Sequence, residues 1–194
     1  MFNWNLPLVS NTEMVLVHSS ETNTCPPLPT ATPNGQVAFP SQANGSLIVR
    51  DDGTAVGSSL IGQAFSDPKY FTGRLSAAGS NGYDGMASAG SNLATNNQTL
   101  IQRVTKSVAD FRAKYGDAPI PVDLITTSAS GLDANISPAG ADYQVASIAK
   151  ARGMSEADVR AAVVRHTQQP FLGFLGEPRV NVLEVNLDLD GLLR

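Results

Sequence analysis

The decisive stretch is TTSASGLDANIS, residues 126–137. Four hydroxyl residues fill its first five positions, and Gly131, Asp133, Asn135 and Ser137 follow. Before it comes PVDLI (121–125), which reads as a strand. After it comes SPAGADYQVASIAKARG (137–153), which reads as a helix. Ser137 is placed to cap that helix, and Pro138 takes the first helical position, where its missing N–H costs nothing. Gly153 suits the end. The free N–H groups of a helix start attract an anion. Thr127, Ser128 and Ser130 add hydroxyl donors, and Gly131 lets backbone approach a ligand closely. This is the outline of a phosphate or nucleotide cradle. Yet the loop holds no Lys or Arg, and Asp133 repels phosphate. The residues alone favour a capped structural turn, with the cradle as the alternative.

Working outward, Ser155 with Asp158 resembles a capping box for a further helix running to about Thr167, with Val159, Ala162, Val163 and His166 in its apolar phase. RVNVLEVNLDLD (179–190) alternates and reads as a last strand. A phase slip at Val182–Leu183 suggests a bulge, or a strand covered on both faces. Upstream, NQTLIQRVTKSVADFRAKYG (97–116) puts Leu100, Ile101, Val104, Val108, Phe111 and Tyr115 on one helical face. Asn96 or Asn97 can cap its start, and Gly116 its end. Residues 66–97 form a long loop rich in Gly, Ser and Asn, and a loop this long is often functional when ordered. SLIVRDDGTAVGSSLIGQAF (46–65) gives a hairpin signal. Residues 1–37, with Pro26, Pro27, Pro29 and Pro33, read as a disordered lead-in. The expected fold is therefore α+β: one domain over residues 38–194, with a β-hairpin, a long loop, about three helices and further strands.

Charged residues are only 15% of the 194, and the net charge is −4. That argues against non-specific nucleic-acid binding, which needs a basic stripe. Cys25 is the single cysteine, so neither an intramolecular disulfide nor a multi-thiol zinc site can form. A helical membrane span needs roughly 20 mostly apolar residues, and no segment qualifies. The N-terminus has no basic n-region, so it is a poor secretory signal and the chain alone reads as soluble.

Catalytic signatures are sparse. His18 and His166 are the only histidines, and neither belongs to a metal-binding pattern. Asp188 and Asp190 would point the same way on a strand, as a solvated face rather than a cation site. His166 could serve a nearby serine as base in a stand-alone hydrolase, but its apolar helix face suits a packed histidine. The G-x-S-x-G elbow is absent. GSSLIGQ (57–63) has two glycines of a P-loop, but Gln63 stands where lysine is required. No catalytic and no metal-binding residue is expected. Arg74, with Lys69 and nearby aromatics, suits a partner contact or a plain surface loop.

QANGSLIV, GSSLIGQAF, YFTGRLSA, SAGSNL, PVDLITTSASGLDANISPAGADYQV, ARGMS and FLGEPRVNVLEVNLDLD occur in the order and spacing of a known family. Over about four-fifths of its length, from Phe39 to Asp190, the chain resembles the C subunit of the Kdp potassium-transporting ATPase. The resemblance implies a non-catalytic accessory subunit in a membrane complex. There the A subunit conducts potassium and the B subunit hydrolyses ATP. The C subunit is required for assembly and is proposed to raise the ATP affinity of B through a transient complex that shares the nucleotide. It implies nucleotide contact at Ser128, Ser130, Gly131 and Asp133; no metal is expected from the residues, and docking is expected through the loop bearing Arg74, Tyr83, Gly90 and Asn92. A rival family view puts the domain on the outer membrane face, over the potassium entrance. Leu75 stands for a usual Pro, Asp84 for Asn, Ala89 for Gly and Ala134 for Pro. The family also carries one membrane-spanning helix just before FPSQANGS, where this sequence has its proline-rich lead-in. Membrane contact is then expected mainly through the partner subunits.

Overall fold

A computed structural model describes residues 33–50 and 53–193. They form two compact units, one up to Leu60 and one from Ile61 onward. The mixed α+β expectation holds, with seven helices and five short strands among the described residues. Most of the expected lead-in, residues 1–32, lies outside them. At its end, Pro33–Ala38 is a helix (α1).

In the first unit, α1 is followed by α2 (Pro40–Ala43) and by the expected hairpin, β1 (Leu47–Val49) against β2 (Ala55–Ser58). Gly53 at φ +83° donates to the Arg50 carbonyl and closes the turn.

The second unit is built around α5 (Pro138–Arg152). Ser137 Oγ accepts the Gly140 N–H at 2.9 Å, and Gly153 ends the helix in the left-handed conformation, as expected. Ala141, Val145, Ile148 and Ala149 give α5 one buried stripe. It packs on α3 (Gln98–Tyr115) and on α6 (Glu156–Arg165). The Asn97 cap of α3 and the Ser155 cap of α6 form as the sequence predicts, accepting from Thr99 and Asp158. Ile101 departs from its expected face. It is exposed, and Ser107 is buried beside Phe111 instead.

Two expected strands are helical. PVDLI forms one turn of helix, α4 (Val122–Ile125), which places Leu124 fully in the core. Thr126 Oγ1 donates to the Val122 carbonyl at 2.8 Å and closes that turn. The terminal strand ends early: β5 (Arg179–Asn181) passes directly into α7 (Val182–Leu189). Asn181 Oδ1 accepts the Glu184 N–H at 3.1 Å and caps the new helix. The phase slip at Val182–Leu183 is this junction, not a bulge. A short apolar run buried on all sides has no period that separates helix from strand. A small antiparallel sheet sets β5 between β3 (Asn135–Ile136) and β4 (Thr167–Gln168).

Because α7 is helical, Asp188 and Asp190 diverge instead of sharing a face. Asp188 accepts from Arg165 at 2.7 Å and lies 3.1 Å from His166 Nε2. Asp190 accepts from Arg152 at 2.8 Å and from the Tyr70 hydroxyl at 2.7 Å. Both carboxylates are mostly buried in ion pairs, and neither is the solvated face expected of it.

Candidate functional site

The site grows from residues 70–74, which the core grips by their main chain. Asn186 Oδ1 accepts the Phe71 N–H at 2.8 Å, and its Nδ2 donates to the Phe71 carbonyl at 3.0 Å. Gln144 does the same for Thr72, at 2.8 Å and 3.1 Å. Both amide side chains are fully buried. Buried main-chain groups need partners, and two amides supply them where no strand is available. At the near end, Arg152 Nε donates to the Lys69 carbonyl at 2.7 Å. The Tyr70 hydroxyl is held well above its ordinary pKa by burial, and by its hydrogen bond to Asp190. The segment is thus fixed before it emerges at Arg74.

Arg74 then reaches the opening stretch. Its Nη1 lies 3.2 Å from Asp133 Oδ2, and its Nη2 donates to the Thr127 carbonyl at 3.3 Å. Leu75 and Thr127 pair as a parallel bridge. Ser76 Oγ donates to the Gly131 carbonyl at 2.6 Å and accepts the Tyr83 N–H at 2.7 Å. Ser88 Oγ donates to the Ser130 carbonyl at 3.0 Å. Tyr83, at φ +55°, donates its hydroxyl to the Arg74 carbonyl. Burial, and then the Asp133 charge, push the Tyr83 hydroxyl up to about 12.

The two loops that carry the residues picked out separately in the sequence pack against each other, with Ser128 and Gly131 buried. Arg74, Tyr83 and Gly90 fold onto Ser128, Ser130, Gly131 and Asp133. Asn92 is exposed and left-handed at φ +49°. The cation lacking from the loop sequence arrives from another loop, already paired with Asp133. Gly131 does permit close approach at φ +69°, but to its own chain: a Cβ there would lie 2.7 Å from Ala78 N and from Ala89 O. A Cβ on Gly90 would lie 2.9 Å from Ala129 O.

Ser128 is buried, and Ser130 Oγ accepts the Leu132 N–H at 3.1 Å while Ser130 itself stays exposed. At the start of α5, Asp123 Oδ2 accepts the Ser137 N–H at 2.8 Å. The chain therefore sets a carboxylate of its own against the positive helix end. His166, singled out as a base, caps α6 between Asp188 and Glu184 Oε2, the latter at 3.5 Å. Among the described residues no cluster of three His, Cys, Asp or Glu could hold a metal ion, and no helix is long and apolar enough to cross a membrane.

The family profile described as K+-transporting ATPase, c chain, matches residues 25–191. The chain belongs to the KdpC family. A potassium-transporting ATPase KdpC subunit of Sorangium cellulosum (strain So ce56) is 58% identical over 158 residues, covering 80% of this chain and 83% of that protein. The KdpC subunit of Koribacter versatilis (strain Ellin345) is 55% identical over 156 residues, covering 80% of each. That of Caulobacter vibrioides (strain NA1000 / CB15N) is 56% identical over 155 residues, covering 80% of this chain and 78% of that protein. The paired loops described above fall wholly within the matched KdpC region.

Proposed function

We propose that this chain is a non-catalytic subunit of an ATP-driven potassium uptake complex at the plasma membrane. It acts by holding the potassium-conducting A subunit and the ATP-hydrolysing B subunit in one assembly. Membership of the KdpC family supports the complex. One observation supports the docking role: a loop of some thirty residues is locked onto the 126–137 turn by its own hydrogen bonds. Ordering a loop of that length costs conformational entropy. A surface ordered in advance binds a partner without that cost. The test is co-purification of the full chain with the A and B subunits. Stoichiometric recovery is expected, and loss of the chain from the complex while it stays folded would contradict the reading.

A second reading gives the same surface a transient ATP, shared with the B subunit, at Ser128, Ser130, Gly131 and Asp133. Arg74 favours it, because its Nε is buried with no hydrogen-bond acceptor among the described residues. A phosphate group that displaced Asp133 would find a guanidinium in place. Raising the ATP affinity of B would follow from that contact. Titration of ATP against the amide signals of Ser128 and Ser130 tests it. Saturable shifts are expected, and unchanged signals at millimolar ATP would remove it.

A further inference from the structure

β4 and β5 are joined by residues 169–178, whose tip carries Phe171, Leu172, Phe174 and Leu175. These side chains are exposed by 71%, 69%, 73% and 52%. Phe171 and Leu175 face each other, each N–H donating to the other's carbonyl, at 3.0 Å and 2.9 Å. Gly173 donates to the Pro170 carbonyl at 3.0 Å. Between them Leu172 sits at φ +54°, a left-handed conformation that a leucine enters only at a cost. Four main-chain hydrogen bonds hold the tip in this shape, so the apolar side chains are displayed rather than collapsed.

The size and charge of the tip narrow what it can meet. Four such side chains present roughly 500 Å² of apolar surface, the scale at which a patch on a monomer is often functional. A free-standing interface buries about 800 Å² on each partner, so this tip suits one anchor within a larger contact. Its side chains stand out from the loop and need a socket. Among the described residues, the cleft beside Phe65, Ala134 and Leu183 has no internal room for a phenyl ring, so a second copy offers no socket there. A lipid surface would call for Lys and Arg around the tip. Here the flanks are Gln168, Gln169, Glu177 and Arg179, and the chain is net negative.

We propose that residues 171–175 form a preformed apolar plug that enters a socket on another protein subunit of the potassium-transporting ATPase. This rests on the subunit reading given above. The test measures binding of the full chain, as wild type and as Phe171→Ser/Phe174→Ser, to detergent-solubilised A and B subunits prepared without it. Loss of two central aromatic anchors weakens binding by about tenfold or more, with the thermal unfolding midpoint unchanged. Leu172→Gly is a second variant, which removes one apolar side chain while relieving the left-handed strain. It is expected to bind more weakly and unfold no more easily. Equal affinity of wild type and both variants overturns the plug. So does sedimentation of the wild type alone with phosphatidylcholine vesicles, which would make lipid the occupant. Failure of the wild type to bind overturns the subunit reading and the plug together.

Discussion

Asn186 closes both polar groups of Phe71, accepting its N–H at 2.8 Å and donating to its carbonyl at 3.0 Å, although 115 residues separate the two. This contact fixes the segment that delivers Arg74. Asn186→Leu keeps the volume but leaves two buried main-chain groups without partners. Each such group costs about 1–3 kcal/mol. A loss of about 2–4 kcal/mol in urea unfolding is expected, and a loss below about 1 kcal/mol would show that the clamp contributes little.

Gly131 joins a left-handed backbone to a crowded one. Gly131→Ala drives a Cβ to within 2.7 Å of Ala78 N and Ala89 O, both main-chain atoms. With φ also at +69°, the variant should lose about 2 kcal/mol or more. Faster amide exchange should be confined to residues 76–90 and 127–133. Gly153→Ala, left-handed but with open space around it, is expected to cost less.

Arg74 and Asp133 are about a quarter and a third exposed, so solvent weakens their pairing. A double-mutant cycle with Arg74→Ala and Asp133→Ala should give a coupling of about 1 kcal/mol or less, falling with salt. Arg74→Ala alone should cost more than that coupling, because it also abandons the Thr127 carbonyl. Zero coupling at low salt would remove the pair from the account.

Tyr83 predicts an alkaline limit. Burial, then Asp133, raises its hydroxyl from 10.0 to about 12. Below pH 10 both folded and unfolded chains keep the proton, so the contribution to stability is complete. Between pH 10 and 12 the unfolded chain releases the proton and the folded chain does not. Stability therefore falls across that window as pH rises. Phenolate absorbance should show Tyr83 titrating late, as Tyr70 also does, and Tyr83→Phe should remove one late-titrating group and flatten the fall. Equal alkaline slopes for wild type and variant would contradict the assignment.

Local chemistry made much of this fold legible. The caps at Asn97, Ser137 and Ser155 and the stops at Gly116 and Gly153 each depend on a few neighbouring residues, and all form. The hairpin of residues 47–58 is equally local. The helices α4 and α7 were read as strand, because both are short and lie in runs rich in Val, Leu and Ile. There burial, not period, decides between helix and strand. The Asn181 cap was the available signal for α7. The candidate site was half visible. Its hydroxyls and glycines stood out, but Arg74 meets Asp133 across 59 positions of sequence. Nothing in either segment signals the other. The apolar tip at 171–175 left its mark in PFLGFLG, where large apolar residues and glycine lie too close for either regular period.

The most direct measurement is the affinity of this chain for the A and B subunits when the outer side of the paired loops is altered. Met86 and Ser130 are both exposed there, and neither contributes a side chain to the core. Met86→Arg/Ser130→Arg should weaken binding about tenfold or more while leaving the unfolding midpoint within a few degrees. Undiminished binding by that variant, with the fold intact, would mean that the complex is held through some other face of the molecule.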